Sequence, residues 1–439
     1  MTKVLFLNTY FDRGGAAVSC KRIFESLQTE PSLVVKMLVH TGEQLPEPVK
    51  GLNASYFLSQ KMLFKFALDR LFFLFYEKSK SVRFAFSQAN IGEDISRHPW
   101  VQEADILHIH WINFGFLSLD SLQKLLNLGK PIVWTMHDMW VFTGGCHYAQ
   151  HCRGFEAQCG GCFYLRNPHA KDLSHRVLAK KNEIFSQSPL ITFVGSSQWL
   201  VEEAKQSSFF KKLKFATATH IMTPIDISLF KPADHEKAAA DLFLDATKFR
   251  ILFGAVKIND ERKGIQYFQE AIQIIQETYP EMLFELELVL FGKTKVDISA
   301  LFPISISYLG ILKGANALIE AYSAAHVFVL PSLDDNLPNT IIESMACATP
   351  VVAFRSGGIP EMIDHRQNGY LADYKSSKDL AEGLHWVWAR WKEEKSGKSP
   401  QAFDTLRVQA RQKALDSYHP DKIRQQYLDL YQKLLNFSY

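Results

Sequence analysis

Residues 327–353 read VFVLPSLDDNLPNTIIESMACATPVVA, and this stretch decides the fold class. The apolar run 327–330 predicts a buried parallel strand, and the run 351–354 predicts a second one. Between them, Pro338 and Asn339 are typical of the first turn and the cap of a helix. A strand, a helix and a second strand in this order are typical of a parallel α/β sheet.

Two carboxylates in this stretch are candidate ligand contacts. Asp335 precedes the predicted helix, and Glu343 lies eight positions later, within it. In open α/β sheets, ligands bind at the carboxyl ends of the strands, and a helix N-terminus attracts anions. A carboxylate beside an anion site suits a hydroxyl donor such as a sugar or a ribose. A solvated acidic loop is the alternative explanation.

Strands and helices alternate in two sets, which predicts two Rossmann-like, doubly wound domains. The length of 439 residues also favours two domains. We predict a first domain over residues 1–232 and a second over 233–415. The candidate linker covers 226–247. The apolar spacing near the C-terminus predicts an amphipathic helix within 416–439.

The overall composition excludes several classes of protein. Hydrophobic content of 47% and charged content of 22% are typical of a globular protein. The net charge of +3 comes without a nucleic-acid-binding signature, so we expect no nucleic acid partner. The first residues predict a strand rather than a signal peptide, and no apolar run has the length of a membrane span. Six cysteines without an export signal predict a cytoplasmic protein.

Turns that follow predicted strands supply further candidates. Gly14-Gly15 forms a glycine turn before the first helix, although the dinucleotide-binding fingerprint is absent. Lys263, in the turn Arg262-Lys263-Gly264, can neutralise phosphate charge with help from the following helix N-terminus. For both turns, an ordinary tight turn is the alternative.

Histidines also end two of the predicted strands. His137 follows one strand and can hydrogen-bond a sugar hydroxyl or a phosphate. His108 and His110 alternate with apolar residues on the preceding strand, so they share one face and are weaker candidates. A structural role is the alternative for all three.

The acidic segment resembles a motif of family 4 retaining glycosyltransferases, which have the GT-B fold. In that motif a Glu, seven residues and a second Glu precede a helix of small residues and Pro-Val. Glu343 occupies the place of the second Glu and Asp335 that of the first, while Asn336-Leu337-Pro338 replaces the usual Gly-Phe-Gly. Pro338 has no N–H, so one backbone phosphate contact is missing.

The resemblance implies a GT-B architecture in which two Rossmann-like domains face a central cleft, with a nucleotide-sugar donor and no catalytic metal. It implies that Lys263 and Arg262 bind the donor diphosphate, that Asp335 binds the sugar and that Glu343 binds the ribose. It also implies that His137 contacts the sugar from the other domain and that the C-terminal helix within 416–439 crosses back to the first domain. The catalytic residues are then His137, Asp335 and Lys263, and the donor-binding residues are Gly14, Gly15, Lys257, Arg262, Lys263, Gly310, Asp335, Asn336, Leu337 and Glu343.

Four cysteines are clustered between residues 146 and 162. Their spacing, which ends in a Cys-x-x-Cys pair, resembles that of a small structural zinc site. Reduced thiols or a redox pair are the alternatives. The predicted metal ligands are Cys146, Cys152, Cys159 and Cys162.

Residues 56–86 combine Phe and Leu with Lys and Arg. Lys61, Lys65 and Arg70 recur near helical spacing, beside an apolar face that contains Phe64, Leu68, Leu71, Phe72 and Phe75. Such a helix can lie on a membrane surface. A packed core helix is the alternative.

The sequence therefore predicts a retaining glycosyltransferase that moves a sugar from a nucleotide-sugar to a saccharide or a lipid-linked saccharide. The HDMW…GGCHY pattern resembles a subgroup from bacterial surface-polysaccharide pathways, which implies a role in exopolysaccharide, capsule or lipopolysaccharide synthesis. The expected location is the cytoplasm, at the inner face of the plasma membrane. A sugar-nucleotide epimerase of the same fold and a non-catalytic partner subunit are the alternatives.

Overall fold

The computed structural model of this protein describes residues 1–42, 44–52, 56–186, 191–213, 217–294 and 301–436. The chain divides into two compact units. The first consists of residues 1–224 and 421–439, and the second of residues 225–420. Of the C-terminal segment predicted to cross back, residues 437–439 lie outside the described residues.

The first unit is built on a parallel sheet with helices on both faces. Its strands run in the order β3-β2-β1-β4-β5-β6-β7, and each neighbouring pair is parallel. These strands are β1 (Thr2–Tyr10), β2 (Leu33–Thr41), β3 (Val49–Gly51), β4 (Ile106–Ile109), β5 (Ile132–Met136), β6 (Ile191–Gly195) and β7 (Thr217–His220). The helices are α1 (Gly15–Gln28), α2 (Tyr56–Leu74), α3 (Pro99–Glu103), α4 (Leu119–Leu126), α5 (Leu173–Phe185), α6 (Gln198–Gln206) and α7 (Ser208–Lys212).

The second unit repeats this plan. Its parallel strands run in the order β10-β9-β8-β11-β12-β13. They are β8 (Phe249–Lys257), β9 (Leu286–Lys293), β10 (Ser305–Tyr308), β11 (Val327–Leu330), β12 (Val351–Phe354) and β13 (Gly369–Ala372). The helices are α8 (His235–Asp241), α9 (Ile265–Thr278), α10 (Pro280–Leu283), α11 (Gly314–Ala324), α12 (Asn339–Ala346), α13 (Ser377–Lys395) and α14 (Ala402–Tyr418).

The continuous apolar runs in the sequence account for the buried central strands of the second sheet. Strands β11 and β12 are buried along their whole length, as expected for parallel strands that are covered on both faces. In each sheet the strand order reverses beside the first strand, between β1 and β4 and between β8 and β11. Open α/β sheets bind ligands at such switch points, outside the carboxyl ends of the strands. The doubly wound α/β class predicted from the sequence is therefore confirmed.

The last helix, α15 (Pro420–Asn436), packs on the first unit. Ile423, Tyr427 and Tyr431 recur at helical spacing and are buried in the same core as β1 and α1. This apolar stripe fixes the helix on the sheet, and the hydroxyls of the two tyrosines reach polar groups beneath it.

Two glycines let neighbouring loops approach the turn after β11. Gly264 has φ +68°, and a Cβ there would lie 2.0 Å from the carbonyl oxygen of Pro331. Gly357 has φ +54°, and a Cβ there would lie 1.9 Å from the carbonyl oxygen of Asp335. Both positions combine a left-handed backbone with a backbone contact that no side chain can share.

Replacing Gly357 by Ala is expected to destabilise the second unit more than replacing Gly397, whose φ is +74° but whose Cβ would meet nothing within 4 Å. The control carries only the left-handed strain of about 1–2 kcal/mol. The Gly357 variant adds an overpacking cost of about 1–3 kcal/mol. Chemical denaturation followed by tryptophan fluorescence measures both, and equal midpoints would contradict the close approach.

Candidate active site

The sequence-predicted cations and carboxylate of the second unit meet at its switch point. Lys263 Nζ lies 2.6 Å from one Asp335 carboxylate oxygen, and Arg262 lies 3.2 Å from the other. Arg262 also donates to the carbonyl of Asp334 at 2.6 Å, and its own carbonyl accepts from the N–H of Leu333 at 2.8 Å. The turn after β8 and the loop after β11 are thus joined by ion pairs and by backbone hydrogen bonds.

Burial and neighbouring charges shift the pKa values of Asp335 and Lys263 in opposite directions. Burial raises the pKa of Asp335, but Lys263 and Arg262 lower it by more, so its pKa lies below the usual value and it is ionised at neutral pH. Burial lowers the pKa of Lys263, and Asp335 opposes that shift. Asp260 also lies 4.0 Å from Arg262, so two carboxylates face the two cations and hold them at the strand end, where an anionic ligand could bind.

Glu343 lies on α12, which starts just after Pro338. Its carboxylate is buried and accepts a hydrogen bond from the hydroxyl of Tyr322 at 3.2 Å. Asn336 and Leu337, between the two acidic residues, are also buried. Tyr322 was not identified from the sequence, because an aromatic residue within an apolar helix gives no signal of such a contact.

Two weaker candidates lie at other strand ends of the second unit. Lys257 is exposed at the end of β8, beyond a register shift relative to β9. Gly310 follows β10 with φ +69°, and its carbonyl accepts from the N–H of Gly292 at 2.7 Å. In the described contacts, neither residue joins the Lys263–Asp335 cluster.

In the first unit, the Gly14-Gly15 turn connects β1 to α1. Gly14 has φ +89° with open space beside its Cα, and no side chain caps the start of α1. The first turn of α1 carries no acidic residue. A helix start of this kind is compatible with an anion or with a polar ligand group.

Histidines at the ends of β4 and β5 form a stacked, hydrogen-bonded pair. His110 Nδ1 lies 2.9 Å from His137 Nε2, and their rings stack with centroids 5.2 Å apart. His108 lies beneath them and contacts the hydroxyls of Tyr431 at 2.7 Å and Thr135 at 2.8 Å. Burial lowers the pKa of His137 to about 4, although the charge of Asp138 opposes this shift. Burial also lowers the pKa of His110 and that of His108 well below the usual value.

These three histidines are therefore neutral near pH 7. Whichever nitrogen donates, the hydrogen bond between them makes the tautomers of His110 and His137 complementary and holds both rings in one orientation. Sequence reasoning singled out His137 but treated His110 as a weak candidate, although His110 is the group that positions it.

Asp138 organises a second polar chain at the same strand end. Its carboxylate accepts from Trp111 Nε1 at 3.0 Å and from the N–H of Trp140 at 2.9 Å, and it contacts His147 Nδ1 at 2.7 Å. His147 in turn contacts the Ser87 hydroxyl at 3.1 Å. Sequence reasoning missed this chain, because Trp111 and Ser87 come from distant parts of the sequence and the short spacing of the other members does not reveal their contact.

The structure does not support the predicted zinc site. All four cysteines line one cavity of about 20 Å³ and are free thiols. However, within the described ranges, no three His, Cys, Asp or Glu side chains form a group that could hold a metal ion. Burial raises the pKa of Cys159 to about 12 and that of Cys162 to about 11, so these two thiols are protonated at neutral pH when no metal is bound.

Comparison with known families identifies the second unit. Residues 248–390 match the family described as glycosyl transferases group 1. The matched segment lies within the second unit. It contains the Lys263–Asp335 cluster and Glu343, and all the predicted donor-binding residues except Gly14 and Gly15 lie inside the matched region. The chain is accordingly a glycosyltransferase.

Curated relatives agree with this assignment. The putative colanic acid biosynthesis glycosyl transferase WcaC of Escherichia coli is 22% identical over 350 residues, which cover 76% of this chain and 77% of WcaC. The D-inositol 3-phosphate glycosyltransferase of Pseudarthrobacter chlorophenolicus is 30% identical over 173 residues, 37% of this chain and 40% of that protein. The resemblance to a family 4-like glycosyltransferase of the surface-polysaccharide type is confirmed.

Solved structures show the same fold for this glycosyltransferase. Sucrose-phosphate synthase from Thermosynechococcus elongatus matches with a TM-score of 0.66 at 17% identity, over 99% of this chain and 100% of that one. HepE of Anabaena, solved with UDP-glucose, matches with a TM-score of 0.63 at 15% identity. The match covers 99% of this chain and 100% of the HepE chain. These matches confirm the predicted GT-B fold.

The neutral histidines give this glycosyltransferase a testable pH dependence. Between about pH 6.5 and about pH 4 the unfolded chain protonates His137 while the folded protein does not, so stability is lost as pH falls through this window. The shift corresponds to roughly 3 kcal/mol when fully expressed. Chemical denaturation at pH 7 and pH 5 is expected to show lower stability at pH 5.

Substituting His110 by Asn, which removes one buried neutral imidazole, should make the difference between pH 7 and pH 5 smaller. The matched control is His151→Asn, at an exposed position of the same unit. If both variants kept the wild-type difference between the two pH values, the buried histidines would not be its source.

Proposed function

We propose that this glycosyltransferase transfers a sugar, with retention of anomeric configuration, from a nucleotide-sugar donor to a saccharide or lipid-linked saccharide acceptor in bacterial surface-polysaccharide synthesis. The observation that carries the proposal is the pair of cations, Lys263 and Arg262, held at the switch point by Asp335. The fold shared with HepE, which was solved with UDP-glucose, favours a UDP-sugar as donor. The similarity to WcaC favours a polysaccharide product.

In this proposal the second unit binds the donor and the first binds the acceptor. Lys263 and Arg262 stabilise the negative charge that grows on the departing diphosphate, which is the main electrostatic demand of the transition state. Asp335 holds both cations in position and accepts hydrogen bonds from the sugar, and Glu343 accepts from the ribose hydroxyls. Because the two side chains supply the positive charge, the reaction requires no catalytic metal.

The first unit contributes neutral hydrogen-bonding groups. His137, positioned by His110, is proposed to bind a hydroxyl of the transferred sugar. A neutral imidazole can do so without attracting the diphosphate away from the cations of the second unit. We propose that the Gly14-Gly15 turn approaches the donor or the acceptor.

An assay with a panel of sugar nucleotides and saccharide acceptors tests the proposal, with the product anomer determined by NMR. Retention is expected, and an inverted product would exclude the retaining mechanism. Conversion of the donor sugar without an acceptor would instead favour an epimerase. No calorimetric binding of any donor would favour a non-catalytic partner subunit.

The Lys263→Ala variant is expected to lower turnover more than donor affinity. An ammonium that meets charge developing on the leaving group acts mainly in the transition state. Loss of one such contact costs on the order of a hundred- to a thousandfold in rate. Steady-state kinetics with the identified donor measures the change, and near-normal turnover would exclude this role.

Glu343→Gln is expected to raise the donor KM with a smaller effect on kcat, because a ribose contact is the same in the ground state and the transition state. Asp335→Ala is expected to impair both parameters, because it removes the sugar contact and releases Lys263 and Arg262. If Glu343→Gln abolished turnover while Lys263→Ala left it intact, the two roles would have to be reassigned.

A further inference from the structure

Helix α2 and the turn after it expose an apolar face to solvent. Phe64 and Leu71 are seven residues apart and lie along one line of the helix. Phe75 follows four positions later, in the turn directly after the last residue of α2. Leu63 and Phe72 flank that line. We call these five residues the α2 apolar face, and their exposed fractions are 55% for Leu63, 62% for Phe64, 50% for Leu71, 49% for Phe72 and 68% for Phe75. The side chains of residues 56–59 lie outside the described part.

The opposite side of α2 attaches the helix to the first unit. Met62, Asp69 and Phe73 are buried there, and Phe73 stacks on Phe86 with ring centroids 4.9 Å apart. These buried residues attach the helix to the first unit, so the residues of the α2 apolar face are not needed for its packing. This finding excludes the core-helix explanation for the predicted face. A contiguous apolar patch of this kind usually marks a binding surface.

The exposed charged side chains of residues 60–92 are cationic. Between residues 60 and 92 the carboxylates are Asp69 and Glu77, and both are buried. Asp69 pairs with Arg70, and Glu77 pairs with Arg83. Lys78 and Lys80, directly after the helix, are exposed.

The cations expected from the sequence to face lipid are largely engaged elsewhere. Lys61 and Lys65 pair with Glu93 at 3.6 and 2.8 Å, and Arg70 donates to backbone carbonyls as well as to Asp69. The exposed positive charge beside the apolar face therefore comes from Lys78 and Lys80.

We propose that the α2 apolar face binds the surface of an anionic lipid bilayer, with α2 lying in the plane of the interface. Aromatic and aliphatic side chains enter the boundary between headgroups and acyl chains, while Lys78 and Lys80 contact anionic headgroups. None of the helices in the described residues is long and apolar enough to cross a bilayer, so the proposed contact is with one leaflet.

The charge pattern favours a bilayer over a second copy of this chain. Two copies in contact through this face would each bring the exposed cations Lys78 and Lys80 to the interface. Neither copy has an exposed carboxylate between residues 60 and 92 to pair with them, and the nearby Asp94 is already paired with Lys124. An anionic surface instead complements the same cations. The proposal is independent of the donor chemistry, because the residues that carry it lie outside the proposed donor site.

Co-sedimentation with vesicles tests this proposal. The full-length protein is expected to bind vesicles of phosphatidylglycerol mixed with phosphatidylcholine at low salt. Binding should weaken at high salt, because salt screens the lysine–headgroup attraction. Binding to phosphatidylcholine alone should be weaker.

Two pairs of variants separate the apolar and the ionic contributions. Phe64→Ser with Phe75→Ser is expected to lower vesicle affinity at least about tenfold, whereas Phe284→Ser, at an exposed aromatic position of the second unit, should not. Lys78→Gln and Lys80→Gln should each lower it about fivefold and reduce its salt dependence. Lys378→Gln, an exposed lysine of α13, is the charge control.

Circular dichroism and denaturation midpoints establish that each variant is folded before binding is compared. Absence of wild-type binding at low salt would overturn the proposal, as would equal binding by the Phe64/Phe75 variant. Light scattering that showed a dimer, dissociated by the same double variant, would assign the face to a second copy instead. Loss of vesicle binding with donor turnover intact would leave the proposed function unaffected.

Discussion

The Asp335 carboxylate holds Lys263 and Arg262 together, and the second unit is arranged around this contact. The two cations come from the turn after β8, and the carboxylate comes from the loop after β11, the neighbouring strand across the switch point. Left alone, two adjacent cations would repel each other and extend into solvent. With the carboxylate between them, they are fixed before a ligand arrives, so a bound diphosphate would meet positive charge that needs little reorganisation.

This arrangement requires the backbones of three loops to lie close together. Gly264 and Gly357 allow that approach, because a side chain at either position would meet a carbonyl oxygen of the loop after β11. The first unit uses different chemistry at the corresponding edge of its sheet. There, burial keeps His110 and His137 neutral, and a shared hydrogen bond orients them. One unit therefore presents charged side chains at this edge, and the other presents neutral hydrogen-bonding side chains.

Two sequence patterns had different outcomes in three dimensions. The spacing of Phe64, Leu71 and Phe75 predicted one apolar helix face, and the structure contains that face, but turned toward solvent. The cysteine spacing predicted a zinc site, and the structure brings the four thiols around one cavity without forming a group that could hold a metal. A one-dimensional pattern specifies which residues share a face or a loop. It does not specify what lies opposite them.

The sequence by itself determined the α/β class, the two sets of strands and the acidic segment with Asp335 and Glu343. These features follow from local periodicity and from short-range turn chemistry, which are encoded by neighbouring residues. Only the tertiary structure decided that Lys263 pairs with Asp335, that Tyr322 contacts Glu343 and that His110 positions His137. Each of these contacts joins residues from different strands or helices, so its existence depends on strand order and on loop approach, which no local pattern encodes.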